Sequence, residues 1–141
     1  MATSSDREGD DPTLPEHRVS GIGGFFFRAH DPEAMERWYE QRLGVLAVPR
    51  SYGGEPWRQE AGETVFAPFE LGSEMIGPPE HTWMVNFRVD DLDAMVEQLR
   101  GAGETVEVHP ERYPNGRFAE LADPEGNRIQ LWQPMEPEEA G

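Results

Sequence analysis

The chain has 141 residues, 36% of them apolar and four of them Trp, which suits one domain with a modest core or two half-domains sharing one. Its twelve basic residues are all Arg and stand against 28 acidic ones; a net charge of −16 repels phosphate backbones and anionic lipid surfaces, which argues against nucleic-acid and membrane partners. There is no Cys to form a disulfide, a thiolate metal site or a nucleophile, and no apolar run nears the ~20 residues that span a bilayer or resembles a signal-peptide core, so the cytoplasm is the expected compartment.

Residues 1–18 are polar and acidic and read as a disordered tail. GIGGFFFRA, Gly21 to Ala29, is a β-type run. Asp31, Pro32 and Glu33 then supply an N-cap, a proline for the first helical position and an acid for the first turn. Met35, Trp38, Tyr39 and Leu43 give that helix one apolar face, and Gly44 stops it. VLAVPR, EPWRQE and ETVFAPFE read as three short strands separated by glycine-containing turns.

The same order then recurs. TWMVNFRVD, Thr82 to Asp90, is a strand; Asp90 or Asp91 caps a helix whose stripe is Leu92, Met95, Val96 and Leu99, and Gly101 and Gly103 end it. TVEVHP and GRFAELA are strands, DPEGN (Asp123 to Asn127) is a tight turn with Gly126 free to take positive φ, and RIQLWQ is the last strand. Residues 135–141 read as a second acidic tail.

FRAHDPEAM, Phe27 to Met35, and FRVDDLDAM, Phe87 to Met95, coincide at five of nine positions. Each half therefore reads β-α-β-β-β, an α+β pattern. The expected single domain is 19–134, with module one at 19–77 and module two at 80–134. One such unit leaves a sheet face bare, and two can cover each other.

The stretches FFFRAHDPEAMERWYEQRLG, NFRVDDLDAMVEQLRGAG and GRFAELADPEGNRIQLW resemble the vicinal oxygen chelate superfamily, the glyoxalase / bleomycin-resistance / extradiol-dioxygenase group, over roughly residues 20–134. The resemblance implies two βαβββ modules whose sheets curl into a cupped, incomplete barrel, often in a homodimer, with function inside the cup. Metal-using relatives place a ligand on the first and last strand of each module, where a divalent ion chelates adjacent substrate oxygens. Carried over, those positions are Gly24, Met84 and Gln130, with Glu70 the candidate for the fourth. Gly offers no donor atom, a thioether suits soft ions, and one Gln is a poor site, so no metal or other cofactor is expected. His17, His30, His81 and His109 read as surface residues.

Strand alternation decides the lining of such a cup. Gly24, Phe26 and Arg28 face in from the first module; Met84, Asn86, Arg88, Arg128, Gln130 and Trp132 face in from the second. Arg28 and Arg88 either hold a carboxylate or enolate or pair with acids on facing strands, Glu120 being one candidate. Trp57, Trp83 and Trp132 either stack on a flat ligand or belong to a core or dimer interface. Tyr113 and Arg117 flank an Asn115-Gly116 turn that is either a pocket rim or a plain loop.

An apolar lining with a few polar groups suits a small-molecule ligand. The candidate binding set is Phe26, Arg28, Trp57, Met84, Asn86, Arg88, Gln130 and Trp132. The expected function is a metal-free binding protein of the bleomycin-resistance kind that sequesters a drug or aromatic metabolite. The alternative is a divalent-metal lyase, isomerase or dioxygenase built on Glu70, Gln130 and His81. A metal-free acid–base enzyme ranks third, because no His–carboxylate pair is visible in the sequence. GIGG lacks the spacing of a dinucleotide fingerprint.

Overall fold

A computed structural model of the chain describes residues 14–49 and 53–135. The two tails, at 1–13 and 136–141, and the end of VLAVPR at Arg50 lie outside the described residues.

Helix α1 spans Pro32–Leu43 and α2 spans Leu92–Gly101. The repeated motif is a helix start used twice. Asp31 accepts from Ala34 N at 3.2 Å and Asp91 from Ala94 N at 3.1 Å, so each side chain satisfies a backbone donor that the first turn leaves free. Pro32 opens α1, and Gly44 closes it at φ 75, its N–H returning to Glu40 O.

Four strands follow the order β-α-β-β-β: β1 Val85–Arg88, β2 Glu107–Val108, β3 Gly116–Ala122 and β4 Arg128–Pro134. They form one sheet in the order β1-β4-β3-β2, with β1 parallel to β4 and the other two pairs antiparallel. The sheet is curved and unclosed, and the fold is α+β. One face is dry. Ala119, Leu121, Ile129 and Leu131 point to it and pack with Leu92, Val96 and Leu99 of α2. Four of these side chains, Leu92, Leu99, Ile129 and Leu131, are fully buried, and each contributes about 1.5–3 kcal/mol of transfer free energy.

Helix α1 joins that same core through Met35 and Tyr39, although it belongs to the first half of the sequence. Polar links fix it there. Glu125 accepts from His30 N at 2.8 Å and Asp31 N at 2.9 Å, so the turn after β3 covers the start of α1. Glu104, just past α2, accepts from Trp38 Nε1 at 2.9 Å and Arg42 Nε at 2.8 Å.

The strand runs expected in the first half differ. Among the described residues, 21–29, 45–49, 55–60 and 63–70 carry no strand pairing. The physical reason is that a β-prone segment becomes a strand only where another backbone supplies its ladder. The first run contributes side chains instead: Phe25 and Phe27 lie 5.1 and 5.2 Å from the ring of Trp83. Elsewhere in these runs large apolar groups face solvent, with Phe26 91%, Phe66 88% and Val65 71% exposed.

Candidate functional site

The second face of the sheet is the open one, and the register decides which side chains meet on it. Residues directly opposite on neighbouring strands share a face. Glu107 pairs with Glu120, Glu120 with Gln130, and Gln130 with Asn86, which makes one polar row across all four strands. Phe118 pairs with Trp132 and Trp132 with Arg88 in a second row. His109 continues β2 beside Phe118, its N–H donating to Phe118 O at 2.9 Å.

The second row is a flat aromatic shelf. The rings of Phe118 and Trp132 are parallel within 5°, their centroids 6.4 Å apart. Tyr113 stands edge-on to Phe118 at 6.0 Å, and His109 lies 6.2 Å from the same ring. Trp132 is held by donating Nε1–H to Asn115 O at 2.7 Å and is only 6% exposed, so the half-buried Phe118 is the ring of the pair that a ligand can reach. Gly116 lies against that indole at φ 132, where any Cβ would collide with Gln133 O. The Asn115-Gly116 turn is therefore a brace for the shelf. Desolvation first, and Glu111 second, push the Tyr113 phenol above its ordinary value, so it stays a donor at neutral pH.

The polar row is internally paired. Asn86 Nδ2 donates to Gln130 Oε1 at 2.7 Å. Glu120, with its side chain only 17% exposed, has one oxygen 3.3 Å from His109 Nε2 and the other 3.7 Å from Arg128 Nη1. Arg128 also donates to Met75 O at 3.0 Å, and Arg88 to Glu60 O at 2.9 Å. Arg88 and Arg128 thus each tie a stretch of the first half to the sheet. A cavity of about 320 Å³ opens beside Glu107, Glu120 and Arg128, and Pro78 also lines it.

Of the candidate set, Asn86, Arg88, Gln130 and Trp132 come together on this face, and Met84 continues their side of the β1 alternation. Phe26, Arg28 and Trp57 are exposed and lie in segments without strand pairing. Glu120 meets Arg128 and His109 rather than Arg28 or Arg88. Arg117 turns the other way, to Asp93 of α2 at 3.1 Å, and its guanidinium holds that carboxyl below the usual range. Sequence reasoning passed over Phe118, Glu120 and His109 as lining residues. The alternation of GRFAELA signalled the first two, but placing His109 needed the β2–β3 register.

A profile of the Glyoxalase/Bleomycin resistance protein/Dioxygenase superfamily matches residues 21–131. The chain belongs to that superfamily. Among its curated relatives, a "Putative glyoxylase CFP32" from Mycobacterium tuberculosis is 43% identical over 61 residues, 43% of this chain and 23% of that protein. The chain thus spans less than a quarter of the curated relatives it matches. Among solved structures, TnmS3, an antibiotic binding protein from Streptomyces sp. CB03234, aligns with TM-score 0.56 at 24% identity, covering 85% of this chain and all of that one. A glyoxylase/bleomycin resistance protein/dioxygenase domain from Frankia sp. EAN1pec aligns with TM-score 0.53 at 17% identity, covering 84% of this chain and all of that one. These two likenesses establish the same fold. No helix among the described residues is long and apolar enough to cross a membrane.

The positions that hold a divalent ion in metal-using members of the superfamily do not offer a donor set here. The Gln130 carbonyl is engaged by Asn86, Met84 offers a thioether, Gly24 has no side chain, and Glu70, the one carboxylate of the four, is exposed in an unpaired segment. Among the described residues no three His, Asp or Glu side chains converge in ligating geometry.

Proposed function

We propose that this chain binds a small planar molecule on the open face of its sheet without a metal ion, sequestering a drug or aromatic metabolite. One observation carries the reading: a flat Phe118–Trp132 shelf runs alongside a row of amide and carboxylate groups whose spacing is set by strand register. Such a surface offers dispersion to a ring and directional partners to its polar edge. The antibiotic-binding function of TnmS3 supports it as a use to which this fold is put. The occupied amide of Gln130 supports a metal-free mode.

Binding fits the chemistry present, although the structure does bring together one His–carboxylate pair that the sequence did not show, His109 and Glu120 at 3.3 Å. The rows hold polar groups that are paired among themselves, and the Asn86–Gln130 amide pair retains unused donor and acceptor capacity for a ligand edge. The lack of Cys is compatible with a cytoplasmic protein. The working unit on this reading is a homodimer, because Phe66, Val65 and Phe26 are left exposed in β-prone runs that lack a ladder.

The test is calorimetric titration and thermal shift with planar aromatic acids, phenols and glycopeptide antibiotics, alongside metal analysis of protein purified without chelators. A saturable shift at substoichiometric metal supports the reading. No shift with any compound, or stoichiometric Ni, Zn, Mn or Fe, would turn it toward the metal-dependent lyase, isomerase or dioxygenase alternative.

A further inference from the structure

We infer that the ligand carries an ionisable hydroxyl, a phenol or an enol, and that His109 reads it. The inference deepens the proposed shelf and rests on it.

Three features of the face point to this chemistry. His109 stands at the end of the aromatic row, its ring 6.2 Å from Phe118, so a ring lying on Phe118 presents its edge to the imidazole. Its Nε2 faces the Glu120 carboxylate at 3.3 Å, which favours the proton on that nitrogen and leaves the lone pair on Nδ1. Among the described residues no N–H or O–H donates to Nδ1, so that lone pair is not already taken. An acceptor beside an apolar ring selects a ligand with a hydrogen-bond donor on its edge.

Glu120 cannot readily swing away. Its other oxygen is 3.7 Å from Arg128, which is itself anchored to Met75 O at 3.0 Å. The carboxylate is therefore placed to offset positive charge that develops on the imidazole as the hydroxyl proton moves toward Nδ1. The proton stays shared between the ligand oxygen and Nδ1, and no bond other than that O–H is weakened.

Charge selects a hydroxyl over a carboxylic acid. A chain of net charge −16, with Glu107 and Glu120 opposite each other at the His109 end of this face, opposes the approach of a ligand that is already anionic, and the two guanidiniums of the face are held away from His109's edge by Glu60 O for Arg88 and by Met75 O and Glu120 for Arg128. A weak acid arrives neutral and gains its partial negative charge only where His109 compensates it.

The experiment, at neutral pH, compares 4-cyanophenol, which is still mostly protonated there, with 4-cyanoanisole, which keeps the ring and replaces the hydroxyl proton with methyl, on the full 141-residue chain. A charge-assisted hydrogen bond predicts roughly tenfold tighter binding of the phenol, with a shift of its absorption toward the phenolate form. His109→Phe should bring the affinity ratio to about one and abolish the spectral shift, and Glu120→Gln should reduce both. Circular dichroism and thermal melting establish that each variant is folded. Equal binding of the two probes by the wild type, or an undiminished preference in folded His109→Phe, overturns the inference while leaving the shelf intact. Binding of neither probe overturns both readings.

Discussion

Tyr39 Oη donates a 2.7 Å hydrogen bond to Asp123 Oδ2, and the bond joins α1 to the turn between β3 and β4 across 84 positions of sequence. Asp123 is 4% exposed, yet both its oxygens are satisfied: Oδ1 accepts from Glu125 N and Asn127 N, each at 2.9 Å, and Oδ2 also accepts from Asn127 Nδ2 at 2.8 Å. A buried carboxylate with this many donors is a structural anchor. Replacing it with Ala strands those donors and removes the brace between the halves. Asp123→Ala should cost about 3 kcal/mol in chemical denaturation, and a loss under about 1 kcal/mol would contradict the anchor role.

The same bond has a pH signature. Burial first, and Asp123 second, push the Tyr39 phenol well above its ordinary value of 10.0. A group whose folded value is raised contributes stability that is complete below the unfolded value and is lost as pH rises through the folded one. Tyr39→Phe should therefore be less stable than wild type at pH 7, and the gap should narrow as pH rises past about 10. Melting curves of the pair from pH 7 to 11 measure it; a constant gap would show that Tyr39 does not titrate with unfolding.

Gly116 is a second sensitive point. Its φ of 132 lies where side chains are strained, and a methyl group would meet Gln133 O and the Trp132 indole. Gly116→Ala should cost about 1–3 kcal/mol from the backbone alone and displace Trp132, visible as a change in tryptophan emission. Gly101→Ala, in the last turn of α2 with nothing near the added carbon, is the matched control and should stabilise by up to about 1 kcal/mol.

Removing the shelf should weaken ligand more than fold. Phe118 is only partly buried, so Phe118→Ala should lower affinity for any aromatic ligand roughly tenfold with a melting change of a few degrees. Dialysis against a chelator should leave affinity and melting temperature unchanged. A loss of affinity on chelation, restored by one divalent ion, would contradict a metal-free site.

Self-association should respond to salt. Two copies each carrying −16 repel at long range while their exposed Phe66 and Val65 favour contact. Raising ionic strength from ~10 to ~150 mM shortens the screening length severalfold and should increase the dimer fraction seen by light scattering. A monomer at every salt and protein concentration would remove the proposed homodimer.

Local signals were easily read from the chain. Asp31, Pro32 and Gly44 bound α1, Asp91 caps α2, and Gly126 takes φ 87 in the DPEGN turn, all as their chemistry requires. Alternation correctly put Ile129 and Leu131 under the helices and Gln130 and Trp132 on the other face. Pairing was harder. Glu107 opposite Glu120 depends on how many residues the 109–115 loop consumes, and no periodicity states that. The Phe-rich run at 25–27 has β propensity, but propensity does not supply a ladder. An inward placement of Phe26 and Arg28 by alternation presupposes that their run pairs as the second half does, and in the structure that run has no ladder.

Because Met35 and Tyr39 sit in the hydrophobic cluster built by α2, β3 and β4, the two halves of the molecule are held by more than the peptide that links them. A protease cutting after exposed Arg58 would produce two pieces that elute together. The same embrace means that a gene fragment encoding only the latter piece would yield a polypeptide with a bare oily patch, prone to clump until the missing piece is added back in trans.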